Sequence, residues 1–107
     1  MRDLDAIARL QDVRSAVRGD LAGGFHDAVR EQDGETVAAV MGFVSSALLE
    51  AGDRLGLGPL HRIVVSGEAR GCVVVVEGQQ VITASVEPGR SVAAVEKVLD
   101  APVGRKV

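Results

Sequence analysis

The side chains that could bind a metal or shuttle protons are few and widely separated in this sequence. The only histidines, His26 and His61, lie in different segments, and neither has a second histidine one helical turn away. A zinc site needs three or four convergent ligands, commonly in closely spaced pairs. Neither histidine has an obvious carboxylate partner nearby in sequence. Both are predicted to be ordinary surface or strand-end residues, and no metal site is expected.

The glycine-rich and serine-containing segments also lack the patterns of known catalytic loops. The segment GDLAGG at 19–24 has the glycines of a turn, but no Lys-Ser/Thr pair follows it. A phosphate-binding loop uses that amine and hydroxyl on the terminal phosphates and on magnesium. No serine lies within a G-x-S-x-G nucleophile turn. We therefore expect no catalytic residue and no cofactor, and the chain is predicted not to be an enzyme.

Composition places the chain among single-domain globular proteins. With 107 residues, 47% hydrophobic and 25% charged, it is predicted to form one domain spanning 1–107 with a real core. The net charge is −3 and only two aromatic residues are present, so no basic, base-stacking surface for nucleic acid is expected.

The setting predicted for this domain is the cytoplasm. No apolar run approaches the roughly 20 residues of a membrane span, and the start MRDLDAIARLQD lacks an apolar signal core. Cys72 is the single cysteine, so it cannot form an internal disulfide. No membrane insertion is expected.

The pattern of apolar residues predicts an α+β fold, an α/β sandwich built on a five-stranded antiparallel sheet. The predicted elements are a short helix in RDLDAIARLQ, strands at 13–18 and 25–29, a long helix from about 34 to 55, strands near 61–67, 71–77 and 80–86, and a helix in PGRSVAAVEKVLDA. Asp33 can cap the long helix, and Gly56 followed by Pro59 ends it. The unbroken valine run 73–76 predicts a strand covered on both faces, with helices on both sides of the sheet.

The long helix carries more apolar surface than one sheet can cover. One stripe about 100° wide contains Val37, Val40, Met41, Val44, Leu48, Ala51 and Leu55, and such a stripe is expected to lie on the sheet. Beside it runs a row of mostly small residues, Ala38, Gly42, Ser45 and Leu49. We expect a second helix along this row, most simply that of a second copy across a two-fold axis. The alternative is that the row abuts a neighbouring loop of the same chain.

Further round the same helix lies a third, mixed face. It contains Ala39, Phe43, Ser46, Glu50 and Arg54. Phe43 points away from the predicted sheet and, together with the small row, would leave an apolar patch that soluble monomers usually avoid. This face is predicted to bind a partner.

The element order and two long segments resemble the roadblock / dynein light chain family, and within it the prokaryotic members of the gliding protein B (MglB) type. The segments are DGETVAAVMGFVSSALLEAGDRLGLGPLHRIVV and GCVVVVEGQQVITASVEPGRSVAAVEKVL. The match rests on the long helix ending in LGLG, the strand HRIVV and the strand in EGQQVITASV. It covers nearly the whole chain, and it implies a profilin-like sandwich of the predicted kind.

The resemblance implies a dimer and a partner. The long helices of two chains, in a homodimer or a heterodimer of related chains, would pair through Ala38, Gly42, Ser45 and Leu49. The two sheets would join through the strand at 61–66, which brings Arg62 and Val64 into the interface. The face with Ala39, Phe43, Ser46, Glu50 and Arg54 would meet a Ras-like small GTPase. The dimer would regulate or scaffold this GTPase, and the activation expected is remodelling of the GTPase's switch loops, not an arginine finger.

Two other functions remain open on sequence. One is a structural adaptor dimer without a GTPase, which presents Phe43 and its surroundings to a motor, a kinase or a polar cell structure. The other is a small-molecule sensor, which is disfavoured because few polar groups are predicted inside the domain.

Overall fold

The computed structural model describes residues 4–87 of the chain. Its elements are α1 Leu4–Ala8, β1 Val13–Asp20, β2 Phe25–Val29, α2 Gly34–Arg54, β3 Arg62–Ser66, β4 Gly71–Glu77 and β5 Gln80–Val86. Each predicted element within this range is present, and the long helix and the last two strands have the predicted bounds to within a residue. The final helix predicted in PGRSVAAVEKVLDA lies outside the described residues.

The five strands form one antiparallel sheet in the order β2-β1-β5-β4-β3. The predicted α+β fold with a five-stranded antiparallel sheet is therefore confirmed. β5 lies at the centre, whereas β2 and β3 form the two edges. Within β1 the ladder is interrupted near Ser15 and again next to Gly19, which lets the strand bend where it meets the β1–β2 turn.

Each face of the sheet carries a helix, which explains the valine run. Val73 and Val75 pack in a cluster with Leu4 and Ile7 of α1. Val74 and Val76 point to the opposite face, in a cluster against which residues of α2 pack. Because both faces are covered, all four valines are buried and an alternating polar pattern would be unfavourable here.

The two ends of α2 differ in how closely they follow the sequence signals. At the start, Asp33 occupies the N-cap position, but its side chain makes no capping hydrogen bond, and its N–H donates to Glu31 Oε2 at 3.1 Å. At the end, Gly56 has a positive φ of 73°, and the Leu57 N–H donates to the Gly52 carbonyl at 2.9 Å. This bond closes a Schellman motif, in which the residue with positive φ is favourably glycine.

The face of α2 that lies on the sheet is not the predicted one. The buried residues of the helix are Gly34, Ala38, Gly42, Ser45 and Gly52. Leu49 is half-buried and packs against the cluster on this face of the sheet. The row predicted to bind a second copy therefore lies inside the chain, and its assignment to a dimer interface is wrong. Ser45 is 0% exposed, so another chain cannot reach it.

The physical reason is the close approach of the β1–β2 turn to α2. A Cβ at Gly42 would lie 2.7 Å from the Asp20 carbonyl oxygen and 2.7 Å from Gly23 Cα. A Cβ at Gly19 would come within 2.9 Å of Ala38 Cβ. Only small residues fit between backbones this close, so the alternative that the row abuts a loop of the same chain is confirmed. The larger apolar residues are left on the outer side of the helix.

Candidate functional site

The outward side of α2 carries an exposed apolar stripe, which we define as Val37, Val40, Val44, Leu48 and Leu55. Val40 is 51% exposed and Leu55 73% exposed, while Val37 and Val44 are half-buried. At 100° per residue the stripe lies about 110° round the helix from the sheet-facing row. Its expected position on the sheet is therefore wrong. The sequence identifies these residues as one helix face. Their large apolar side chains favour contact with the sheet, but the structure places them on the outward side of α2.

An open trough borders the N-terminal half of this stripe. It has a volume of about 240 Å³ and lies between α2 and the neighbouring strands β4 and β5. Its lining is mainly apolar and comprises Glu31, Thr36, Val37, Val40, Met41, Arg70, Cys72, Thr83 and Ser85. α2 packs mainly over β1, β5 and β2, so this part of the sheet is only partly covered by the helix. The apolar stripe and the trough form one continuous surface.

The edge strand β3 lies beside the trough, and its Val65 is opposite Cys72 on the α2 side of the sheet. Its partner within the sheet is β4, and among residues 4–87 no strand pairs with its other side. Arg62 is half-buried and Val64 is 40% exposed, and Val65 is also exposed. Exposed apolar residues on an unpaired edge favour pairing with another strand. Arg62 and Val64 are opposite Val75 and Val73, so their side chains lie on the α1 side of this edge strand, and their place in an interface stays a prediction.

The predicted partner face is exposed as expected, and Phe43 dominates it. Phe43 is 74% exposed, and Ala39, Ser46, Glu50 and Arg54 are exposed as well. Phe43 lies about 140° round the helix from the sheet-facing row. Val40, at the margin of the apolar stripe, is the stripe residue next to it. Whether a partner binds these five residues stays a prediction.

All three polar side chains of this face already have partners within the chain. The Ser46 hydroxyl donates to the Leu21 carbonyl at 2.9 Å, which ties α2 to the β1–β2 turn. Arg54 and Glu50 form an ion pair at 3.2 Å one helical turn apart, with both side chains largely exposed. Such exposed pairs contribute at most about 0.5 kcal/mol. The hydroxyl and the ion pair are thus used in contacts within the chain.

The β1–β2 turn beside this face is organised by one carboxylate. Asp20 Oδ1 accepts the N–H groups of Ala22 and Gly24 at 3.0 and 2.9 Å, and Asp20 Oδ2 lies 2.8 Å from His26 Nε2. The hydrogen bond from His26, followed by that from the Gly24 backbone, lowers the pKa of Asp20 below its ordinary 3.8. The expectation that His26 has no carboxylate partner is wrong, because the strand turn brings together residues six positions apart.

The described part of the chain offers no metal site. Residues 4–87 contain no group of three or more His, Cys, Asp or Glu side chains that could hold a metal ion. Cys72 is half-buried in the wall of the trough. What residues 4–87 present to the outside on α2 is an apolar surface, a feature that marks sites of contact with proteins, membranes or ligands.

By length and composition alone, α2 could cross a membrane. The expectation that no segment reaches this length and apolarity is therefore wrong for α2. Its small-residue row, however, packs against the sheet and the β1–β2 turn of its own chain. The membrane interpretation is weak for that reason.

Solved structures with the same fold come from the roadblock and MglB proteins. MglB of Myxococcus xanthus superposes with a TM-score of 0.73 at 11% identity, covering 87% of this chain and 81% of that one. A Roadblock/LC7 domain from Streptomyces avermitilis gives 0.71 at 18% identity, covering 90% and 89%. The gliding protein MglB of Thermus thermophilus gives 0.73 at 18% identity, covering 92% and 80%. A further MglB structure with a TM-score of 0.73 is described as having a tetrameric arrangement.

Sequence comparison adds no relative to these structures. No protein-family model matches the chain, and no curated protein matches it by sequence. The structural similarity confirms the roadblock-type fold that the two resembling segments predicted.

Proposed function

Starting from a roadblock-type fold shared with the MglB structures, we propose that this protein is a dimeric regulator or scaffold of a Ras-like small GTPase. The observation that carries the proposal is the uncovered apolar stripe on α2 beside an open trough. A helix that exposes Val40, Leu48 and Leu55 beside Phe43 would be poorly soluble as an isolated monomer. A second copy is the simplest way to cover it, because a two-fold axis lets each stripe fill the other's trough.

The proposed dimer interface thus differs from the one expected on sequence. It comprises the apolar stripe, the trough and the edge strand β3 with Arg62 and Val64. Two supports are independent of each other: the exposed stripe on α2, and an unpaired edge strand with exposed Val64 and Val65. The tetrameric arrangement described for one MglB structure supports self-association in proteins of this fold.

The dimer is tested by the pair Val40→Asp and Ala39→Asp. Both residues are exposed on α2 and receive the same charge, but only Val40 lies in the apolar stripe and the trough. A carboxylate buried in an apolar interface costs about 2–3 kcal/mol or more, so Val40→Asp should raise the dimer dissociation constant at least about 30-fold. Sedimentation equilibrium of each variant measures this. Equal dimer strength in the two variants, or a monomeric parent protein, would reject the proposed interface.

The GTPase is proposed to bind the face that contains Ala39, Phe43, Ser46, Glu50 and Arg54. Phe43 is the anchor, since burying an aromatic ring of this kind contributes about 1.5–3 kcal/mol. Two features support this: Phe43 remains exposed after the chain folds, and the MglB structures share the fold. Motility or polarity is the setting that the name gliding protein suggests for the relative.

Capture of a Ras-like GTPase in its GTP-bound and GDP-bound forms tests the partner. Phe43→Asp should weaken capture at least about tenfold while leaving the dimer intact. Binding that depends on the bound nucleotide supports a regulator. Equal or absent binding of both forms would reject the GTPase and leave the adaptor dimer without a GTPase as the remaining function.

A further inference from the structure

A second cleft, separate from the Phe43 face, gathers three arginines at the N-terminal end of α2. Its volume is about 360 Å³, it is open to solvent, and it is lined by Arg14, Ser15, Arg30, Glu31, Gln32 and Arg70. The side chains come from the start of β1, from the β2–α2 connection and from the β3–β4 turn. We call it the arginine cleft. Three separate segments therefore converge on one small opening.

The arginine cleft has positive charge that the described residues 4–87 do not neutralise. Arg14 pairs with Glu87 at 2.7 Å. Arg30 donates only to carbonyl oxygens, those of Ala8, of Val13 at 3.3 Å and of Arg14 at 2.9 Å. Among residues 4–87 the Arg70 side chain has neither a hydrogen bond nor an ion pair, and Glu31 is the one carboxylate in the lining. Two guanidinium groups therefore face a cleft that holds a single carboxylate.

The guanidinium fork is the protein group best matched to a carboxylate or phosphate oxyanion. The rest of the lining distinguishes these ligands. Glu31 accepts the N–H of Asp33 at 3.1 Å and lies 3.5 Å from the Ser15 hydroxyl, so its carboxylate is held at the cleft. A nearby carboxylate repels a doubly charged phosphate more than a singly charged carboxylate. It also offers an acceptor for the backbone N–H groups of a peptide.

We propose that the arginine cleft binds an acidic peptide segment of a partner protein. An aspartate or glutamate of the segment pairs with Arg70 and Arg30, and backbone N–H groups of the segment donate to Glu31. A volume of about 360 Å³ accommodates two or three side chains, which exceeds what a lone ion requires. The site does not depend on whether a GTPase binds Phe43, since the two surfaces lie on different parts of the domain.

The test uses the full chain and a capped peptide with two aspartates flanking a leucine. Titration is followed by amide chemical shifts, which should change at Ser15, Gln32 and Arg70. Arg70→Gln should weaken binding about tenfold or more, because a charge-assisted pair is lost. Arg54→Gln is the control. It removes the same charge at the other end of α2, about 30 Å away, and should leave peptide affinity unchanged.

Three outcomes would overturn the proposal. The first is equal affinity for a peptide with asparagine in place of both aspartates, or no binding at millimolar peptide. The second is an equal effect of Arg70→Gln and Arg54→Gln. The third is inorganic phosphate that binds the cleft more tightly than the peptide, which would make it a phosphate site. Arg70 and Glu31 also line the trough, so sedimentation equilibrium of Arg70→Gln is measured beside its peptide affinity. Weaker peptide binding with an unchanged dimer supports the cleft, whereas a weaker dimer with unchanged peptide affinity overturns it. None of these outcomes bears on capture of a GTPase at the Phe43 face.

Discussion

Replacing Gly42 with alanine tests how α2 is seated on its own chain. The added methyl group would lie 2.7 Å from the Asp20 carbonyl oxygen, 2.7 Å from Gly23 Cα and 2.8 Å from Gly23 N. All three are backbone atoms, so the β1–β2 turn must move away from the helix. Overpacking of this kind costs about 1–3 kcal/mol, whereas alanine gains up to about 1 kcal/mol over glycine within a helix. We expect Gly42→Ala to lower the free energy of unfolding by about 1–2 kcal/mol.

Gly52→Ala is the matched control, because it makes the same change on the same buried face of α2. There the added Cβ would meet atoms of the Leu60 side chain at 3.1 to 3.4 Å. A flexible side chain can shift by a few tenths of an ångström. The helical preference of alanine should therefore make Gly52→Ala neutral or stabilising by up to about 1 kcal/mol. The same substitution thus has opposite expected effects at two positions of one helix.

Urea unfolding of both variants, at a fixed protein concentration, measures the difference. In thermal unfolding, a loss of about 1 kcal/mol in stability should lower the melting temperature by about 4–8 °C in a domain of this size. If Gly42→Ala proves as stable as the parent, or as stable as Gly52→Ala, the close approach of turn and helix is refuted. If it instead weakens the dimer without affecting the unfolding of the subunit, Gly42 belongs to an interface after all.

Three further predictions concern side chains whose contacts lie within one subunit. Ser45 Oγ is buried without a hydrogen-bond partner among the described residues. Ser45→Ala should therefore be neutral or stabilising by about 1 kcal/mol in urea unfolding. A clear loss of stability would mean that the hydroxyl is hydrogen-bonded. Because the folded-state pKa of Asp20 is lowered, its contribution is present above pH 3.8 and is lost as the pH falls through the folded value. Asp20→Asn should therefore flatten the stability profile below about pH 4, and an unchanged profile would show that the pair with His26 contributes nothing. Arg30→Ala removes a guanidinium that binds three carbonyl oxygens and should lower the free energy of unfolding by about 2 kcal/mol. Arg30→Lys should recover only part of this stability, because an ammonium cannot reach all three oxygens. Full recovery by lysine would contradict the role of these three hydrogen bonds.

Local patterns were sufficient for the elements and their pairing. The valine run 73–76 required cover on both faces, and Gly56 marked the end of α2. Because the turns between 66 and 80 are short, the strands that they join pair antiparallel. Each of these signals acts within a few residues, through backbone conformation or alternation, so the sequence displays it directly.

The functional surface was harder to predict, because it depends on which face of α2 meets the sheet. The sequence identifies both the seven apolar residues and the small row, yet the small row lies against the chain's own sheet and turn, and of the seven only Met41 packs against the sheet cluster. Side-chain size suggested that the valines and leucines lie on the sheet. The Asp20–His26 pair and the arginine cleft were missed for a related reason, since residues distant in sequence form them.

The amino-acid sequence by itself determined a five-stranded antiparallel sheet, a 21-residue helix and a surplus of apolar surface on that helix. Only the tertiary structure decided which side of the helix is exposed. The deciding contact is between the backbones of Gly42 and Gly23, where the β1–β2 turn leaves no room for a side chain. Periodicity fixes which residues share a helix face, but the distance between two backbones determines which face another chain can reach.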